Sequence, residues 1–381
     1  MTSVAGQAVP MNITHFVESL TRGGLERMVL ELVKVQQREG HRCQVVCLFE
    51  TGSLAHELDD IGVPVTACHK RHGLDLRALR RARGLIRAHG TEVLHTHNAV
   101  AHYQAVLSSF GLGLRHVVNT RHGMDNGRIG DRREWLYRKA LWRTDVVVSV
   151  CDAAYRDVTQ RGVVPRRLAR VVPNGIRLEG FRAASAAMRE RLLQSLALPP
   201  HTRVIGSVGR LNWAKDQASL IRAFRRVHQQ LPDTVLVVVG DGNRRTRLEQ
   251  CAQDEGVAHR VRLLGDRDDV HALLQGFDLF ALSSLSEGYS IALLEACAVC
   301  LPIVATDVGG NGEIVRDGLT GRLVTPADPQ ALADAMLELL NDPPRAAEMG
   351  RAARAWLEQN GTLETMTARY DAIYRGEGSC A

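Results

Sequence analysis

Val- and Ile-rich segments of strand length alternate with amphipathic stretches along this whole chain, and that alternation constrains the fold more than any other feature. The first apolar segment, 11–17, ends in the turn Thr21-Arg22-Gly23-Gly24, and 25–39 then carries Met28, Val29, Leu32 and Val33 at helix spacing. Strand-like runs at 44–49, 64–68 and 92–96 are separated by helical patterns at 54–61 and 75–89, and further strands read at 116–120, 145–150 and 169–172. Strands that alternate with helices pair in parallel, because each helix carries the chain back across the sheet. The expected class is therefore α/β, with helices on both faces of a parallel sheet.

Between 174 and 200 the rhythm breaks at Gly175, Gly180, an Ala-rich stretch and Pro199-Pro200, which read as a connector. It then restarts, with strands at 203–208, 234–239, 261–264, 279–282 and 302–305 and helices at 217–230, 244–255, 270–275, 291–299 and 329–340. Two doubly wound units follow, with a boundary near 180–200. A length of 381 residues suits two domains better than one simple core. With 45% apolar and 24% charged residues, the chain is not disordered, collagen-like or disulfide-dense. No apolar run approaches the roughly 18 residues of a membrane-spanning helix. Residues 1–11 carry no basic stretch followed by an apolar one, so a soluble cytoplasmic protein is expected. The eight cysteines, at 43, 47, 68, 151, 251, 297, 300 and 380, read as scattered buried thiols.

The net charge of +6 is modest, so its location matters more than its size. From 69 to 90, seven Lys and Arg stand against one Asp. On a helix over 75–89, Arg77, Arg80, Arg81 and Arg87 share one side, while Leu79, Ala82, Leu85 and Ile86 face the other. A solvated face and a docking face for an anionic membrane both fit this pattern. Nucleic acid is not an expected partner, because no aromatics interleave with the basic residues.

In doubly wound folds ligands lie outside the carboxyl ends of the strands, and two such edges facing each other form a cleft. Gly23-Gly24 stands at such an end, where a phosphate can approach helix amides, although a plain turn needs glycine as well. Arg210 and Lys215 follow the strand at 203–208, placed to clamp a diphosphate or to sit as two solvated charges. Gly240-Asp241-Gly242 has Arg245 at the third glycine position of a dinucleotide fingerprint, which favours a tight turn. Glu287 and Glu295 flank the helix start Gly288-Tyr289-Ser290, where carboxylates suit vicinal hydroxyls and amides suit phosphate. Of the 15 histidines, eleven precede residue 123. His95-x-His97 and His69-x-x-His72 lack a carboxylate or thiol to complete a ligand set, so no metal is expected there. His122, in Arg121-His122-Gly123, follows a strand and is either a ligand-facing or an ordinary core or surface histidine. Asp266-x-Asp268 is similar to an acidic metal–nucleotide pair, but the two-unit organisation favours cationic side chains on a diphosphate.

Several motifs, taken in order, carry a family resemblance. They are Gly23-Gly24-Leu25-Glu26-Arg27, Arg121-His122-Gly123, Val172-Pro173-Asn174-Gly175-Ile176 and Gly209-Arg210-Leu211 with Lys215. They continue through Val239-Gly240-Asp241-Gly242, Leu264-Gly265, Ser283-Ser284, the Glu287-to-Glu295 segment and Gly309-Gly310. Over nearly the whole chain this order resembles the retaining GT-B glycosyltransferases of family 4. The resemblance implies two Rossmann-like domains facing across a cleft: an acceptor-binding domain over 1–178 and a nucleotide-sugar-binding domain over 179–361. A last helix within 362–381 would pack back on the first domain.

It also implies transfer of a hexosyl unit from a nucleotide-diphosphate sugar, UDP-sugar first and GDP-mannose second, to a glycan or lipid-linked acceptor. No cofactor or metal is implied, and the location is the cytoplasm or the inner face of the cell membrane. A GT-B-fold sugar-nucleotide epimerase and a non-catalytic sugar-nucleotide-binding protein are the alternatives. Gly23 and Gly24 would lie against the diphosphate and sugar, and Arg210 and Lys215 would clamp the diphosphate. Glu295 would bind the ribose, and Arg267 would border the base. Tyr289, Ser290 and Ile291 would supply backbone contacts, with His122 and Glu287 at the reacting sugar. Two positions depart from the family pattern, Cys300 in place of Gly and Gly312 in place of Pro. Cys300 is strained if its turn needs a positive φ.

Overall fold

The computed structural model describes residues 9–377 apart from 22, 124–131, 182 and 184, so the segment 1–8, Arg22 in the first turn, and Cys380 lie outside the described residues. The chain divides into unit 1, Met1–Asn174 with Leu363–Ala381, and unit 2, Gly175–Thr362. The changeover falls at Asn174 rather than at 178, because Ile176 is already tied to unit 2: its N–H donates to the Gly361 carbonyl at 3.0 Å, and it bridges Thr362.

Unit 1 begins with β1 (Asn12–Val17), α1 (Gly24–Arg38), β2 (Arg42–Cys47), α2 (His56–Asp59), β3 (Val65–Ala67) and α3 (Leu76–Ala88). It continues through β4 (Val93–His97), α4 (Ala99–Ser108), β5 (His116–Arg121), α5 (Arg132–Ala140), β6 (Val146–Ser149), α6 (Asp152–Gln160) and β7 (Ala169–Val171). Its sheet runs β3-β2-β1-β4-β5-β6-β7, and the described pairings are parallel. Sequence periodicity did not reveal α4. The reason is physical: Ala101, His102, Gln104, Ala105, Val106 and Ser108 are all buried, so the helix has no polar face to set the period. In contrast α3 forms where its pattern predicts. The Asp75 carboxylate caps it by accepting from the Arg77 and Ala78 N–H groups, and Ala78, Ala82 and Ile86 face inward.

Unit 2 opens with α7 (Ala186–Ser195), β8 (Arg203–Val208), α8 (Gln217–Gln230), β9 (Thr234–Val239), α9 (Arg245–Asp254), β10 (Val261–Leu263) and α10 (Val270–Leu274). There follow β11 (Leu279–Leu282), α11 (Ile291–Ala298), β12 (Ile303–Thr306), α12 (Asn311–Ile314), β13 (Arg322–Val324), α13 (Pro329–Asn341) and α14 (Pro343–Asn360). The sheet order is β10-β9-β8-β11-β12-β13. All six residues of β9 are buried, as expected for a central parallel strand covered on both faces. Finally α15 (Leu363–Arg375) returns to unit 1, where Leu363, Met366, Tyr370, Ile373 and Tyr374 join the core with Val29 and Val33 of α1. No described helix is long and apolar enough to cross a membrane.

In each sheet the winding direction reverses once, between β1 and β4 in unit 1 and between β8 and β11 in unit 2. At such a point the loops leaving two neighbouring strands diverge to opposite faces and open a crevice for a ligand.

Candidate active site

At the β8/β11 switch of unit 2, two loops bring cation and carboxylate together. Lys215 Nζ donates to Glu287 Oε1 at 2.5 Å, and Ser284 Oγ donates to the same oxygen at 2.5 Å. Glu287 is buried and Lys215 half-buried, so the pair is poorly screened. Roles assigned separately to these residues thus belong to one cluster. The Lys215 main chain is held from both sides. Its N–H donates to Asn212 Oδ1 at 3.2 Å, and Ser283 Oγ donates to its carbonyl at 2.9 Å. Asp216, next in the chain, adopts the left-handed conformation (φ 43, ψ 47) and begins α8 with no side-chain cap. Backbone strain of this kind concentrates at functional sites, where surrounding bonds over-determine it.

Arg210 is exposed on the same loop, which rests on the Gly240-Asp241-Gly242 turn. The Gly209 N–H donates to Val239 O and the Leu211 N–H to Asp241 O, each at 2.9 Å. A Cβ at Gly240 (φ 123) would meet Gly209 O at 2.3 Å, so this glycine is required by backbone approach. Gly309 does the same for the second loop: a Cβ there would meet Glu287 O at 1.9 Å, and the neighbouring Gly310 N–H donates to Gly288 O at 2.8 Å.

Ser290 caps α11, its Oγ accepting from Leu293 N–H at 3.4 Å, and Ile291 opens the helix with Tyr289 buried beneath it. Glu295 lies one turn further in, half-buried, with its Oε1 4.0 Å from His271 Nε2. Arg267 is exposed and forked onto Asp269 at 2.7 and 2.6 Å, which raises its already high pKa through that hydrogen bond. Asp266 is structural, for its Oδ1 accepts from Asp241 N–H at 3.1 Å and so braces the glycine turn.

In unit 1, Gly23 caps α1 with extended backbone (φ 179) and no side-chain partner, followed by exposed Gly24. A glycine cap leaves the helix's N-terminal amides without a capping side chain from that residue, an arrangement that suits an anion. Across the β1/β4 switch, His122 is fixed from two directions. Its N–H donates to Asn98 Oδ1 at 3.3 Å, and its Nε2 lies 3.0 Å from His97 Nδ1. Asn98 itself is strained (φ 65, ψ 171), a conformation that suits glycine, and Asn119 Nδ2 holds its carbonyl at 3.2 Å. The His122 Nδ1 atom is withdrawn from water although the residue as a whole is half-buried, and burial lowers its pKa to about 3.

Behind it stands a histidine group of which sequence reading singled out only His95 and His97. His15 on β1 pairs in register with His95 on β4, and one ring nitrogen from each of His15, His95 and His97 lies within 4.8 Å of the others. Each of their nitrogens is already spoken for: His15 by Gln36 and His97, His95 by Tyr374 and Thr120, and His97 by His15 and His122. They form a hydrogen-bonded network and leave no nitrogen aimed at a common centre. A second group, Glu39, His41 and Asp371, has Arg375 Nη2 3.7 Å from the Asp371 carboxylate, a cation already beside it. The signal that could have found His15 was its place at the same strand depth as His95.

Two family models cover most of this chain: Glycosyltransferase Family 4 matches residues 22–179, and Glycosyl transferases group 1 matches residues 188–356. The chain is 33% identical over 279 residues to a GDP-mannose-dependent alpha-(1-6)-phosphatidylinositol monomannoside mannosyltransferase of Mycolicibacterium smegmatis, covering 69% of this chain and 71% of that one. It is 26% identical over 346 residues to an Escherichia coli UDP-Gal:alpha-D-GlcNAc-diphosphoundecaprenol alpha-1,3-galactosyltransferase, covering 87% and 88%. Among solved structures, Anabaena HepE in complex with UDP superposes with a TM-score of 0.85 over 96% of this chain and 100% of that one, at 23% identity. The fold is GT-B, and the chain belongs to the group 1, family 4 glycosyltransferases.

Proposed function

We propose that this enzyme transfers a hexosyl unit, with retention of configuration, from a nucleotide-diphosphate sugar to a glycan or lipid-linked acceptor. The observation that carries this reading is the Lys215–Glu287–Ser284 cluster at the β8/β11 switch, beside the start of α11 and the exposed Arg210. An ammonium has three donors, so Lys215 can hold Glu287 with one and a phosphate with the others. Arg210 adds a planar fork, and the first amides of α11 add partial positive charge. All three oppose the charge that grows on the leaving diphosphate, which is where stabilisation lowers the barrier. The bond from the anomeric carbon to phosphate breaks, the acceptor oxygen takes that carbon from the same face, and its proton passes to the departing phosphate. Glu295 takes the ribose hydroxyls and Glu287 the sugar; in unit 1, Gly23 and Gly24 suit the diphosphate and His122 the sugar. On this reading no metal is needed.

A UDP-sugar is the first donor and GDP-mannose the second. HepE was solved with UDP, whereas the Mycolicibacterium relative is named as GDP-mannose-dependent. The E. coli relative's named acceptor is lipid-linked, which supports an acceptor of that class, and the same reading puts the enzyme at the inner face of the membrane. Arg77, Arg80, Arg81 and Arg87 are exposed on α3, and the first three line a groove of about 650 Å³ that also bears Arg71, His72 and Leu74. This face supplies the electrostatic contact with anionic lipid. The decisive experiment incubates the protein with labelled UDP- and GDP-sugars and an acceptor panel. Sugar moved to an acceptor supports the reading, whereas an epimerised nucleotide sugar, or binding without turnover, replaces it with one of the alternatives.

A further inference from the structure

The buried histidines of unit 1 form a directed chain rather than a loose cluster. It starts at Gln36 on α1, fully buried, whose Oε1 lies 2.7 Å from His15 Nε2. His15 Nδ1 lies 3.2 Å from His97 Nε2, and His97 Nδ1 lies 3.0 Å from His122 Nε2. The last atom of the series, His122 Nδ1, is buried and has no hydrogen-bond partner among the described residues.

We propose that Gln36, His15 and His97 are positioning residues that fix the tautomer of His122, leaving its Nδ1 as a bare acceptor. The logic is one of donors and acceptors. A carbonyl oxygen can only accept, so His15 carries its proton on Nε2 and its Nδ1 is unprotonated. His97 must then donate from Nε2, which strips its Nδ1, and His122 in turn must donate from Nε2. Each ring holds a single proton, because burial keeps the imidazoles neutral: His15 falls to about 4, His122 to about 3, and His97 well below its ordinary value. The same amide sets a second arm. Gln36 Nε2 donates to the Tyr374 hydroxyl at 3.3 Å, and that hydroxyl is 2.6 Å from His95 Nδ1, which leaves His95 to donate from Nε2 to Thr120 Oγ1 at 2.8 Å.

Reversing the amide would reverse every link and put a proton on His122 Nδ1, a buried N–H with no acceptor among the described residues. Orphaned N–H donors are the rarer and costlier defect, and an unfilled lone pair is the milder one. The lone pair is also useful. On the reading of His122 as the residue beside the transferred sugar, it accepts from a sugar hydroxyl and orients the ring without competing for the diphosphate.

The test is a long-range ¹⁵N–¹H correlation spectrum of the full chain labelled at histidine nitrogens, with His122 assigned by loss of its signals in His122→Asn. The expected result is a downfield, unprotonated Nδ1 and an upfield, protonated Nε2 for His122, His97 and His15 alike. A protonated Nδ1 at His122, or nitrogens averaged between the two forms, overturns the proposal. In Gln36→Met the His122 nitrogens should move toward each other as the second tautomer appears. A folded Gln36→Met protein with wild-type His122 shifts refutes the relay. If that variant does not fold, the wild-type spectrum still decides the tautomer. The spectrum needs no turnover, so failure of the glycosyl-transfer reading and failure of the relay are separate results.

Discussion

Lowering the pH from about 7.5 to about 5.5 should remove much of the stability of unit 1 and spare unit 2. Five unit 1 histidines, four buried and His122 half-buried, are held in the neutral form: His15 lowered to about 4, His102 and His122 to about 3, and His95 and His97 well below the ordinary value of 6.5, burial being the first cause in every case. In the unfolded chain all five take up a proton as the pH falls through about 6.5. The unfolded state therefore binds more protons, and stability falls with pH. The loss begins near the unfolded value and continues until the folded values are reached.

One unit below the unfolded pKa, each histidine costs RT ln(1 + 10), about 1.4 kcal/mol, so five cost roughly 7 kcal/mol. A domain has only about 5–15 kcal/mol in total. Glu18 and Glu39, whose carboxyls burial raises, act in the opposite sense and offset part of this. With a urea slope near 2 kcal/mol/M, the midpoint of unit 1 should drop by roughly 3 M. Equilibrium urea unfolding of the full chain at the two pH values, read by pulse deuterium labelling of β1, β4 and β5 peptides against β8 and β9 peptides, measures it. In unit 2, His228 is lowered too but is half-buried, and a small shift is expected there. A unit 1 midpoint that moves by less than about 1 M would show that these rings are protonated or solvated in the native state.

Alanine at Arg210 or Lys215 should cut turnover tenfold or more by removing a charge-assisted bond of about 1.5–3 kcal/mol, and wild-type kinetics in both folded variants would exclude the clamp. Glu295→Ala should mainly weaken donor binding and Glu287→Ala mainly lower kcat; the opposite division would exchange their roles. Activity should survive exhaustive chelation, and loss with EDTA restored by one divalent ion would instead point to a metal. Cys300 sits at φ 59 with its carbonyl packed where a Cβ on Gly350 would be 2.1 Å away, so Cys300→Gly should relieve left-handed strain. The net gain should be about 0.5–1 kcal/mol, a rise of roughly 2 °C in the melting of unit 2 by calorimetry, and an unchanged or lower Tm would show that the thiol's packing outweighs the strain.

Alternation alone announced two parallel α/β units, because a period of two and a period of 3.6 are local signals that survive in any context. It could not announce α4, which buries the polar His102, Gln104 and Ser108 while leaving Leu107 exposed, or reduce the helical pattern at 54–61 to the single turn His56–Asp59. Glycine turns were legible as turns, but what each turn packs against was not. Gly240 and Gly309 are defined by the backbone oxygens of Gly209 and Glu287, which belong to other loops.

The same limit explains why the site reads as separate residues in the sequence and is found as pairs in the fold. Each functional loop was recognisable as the end of a strand, yet which ends adjoin depends on strand order. Lys215 meets Glu287 because β11 inserts beside β8, and neither strand's own sequence encodes that neighbour. The histidine relay needs still more: β1 beside β4 in the register His15 to His95, Gln36 from α1, and Tyr374 delivered by α15 from the far end of the chain. A hydrogen-bonded series has a direction only when its first member does, and here that member is one buried amide. A single side chain on α1, outside every motif, therefore sets which nitrogen His122 presents.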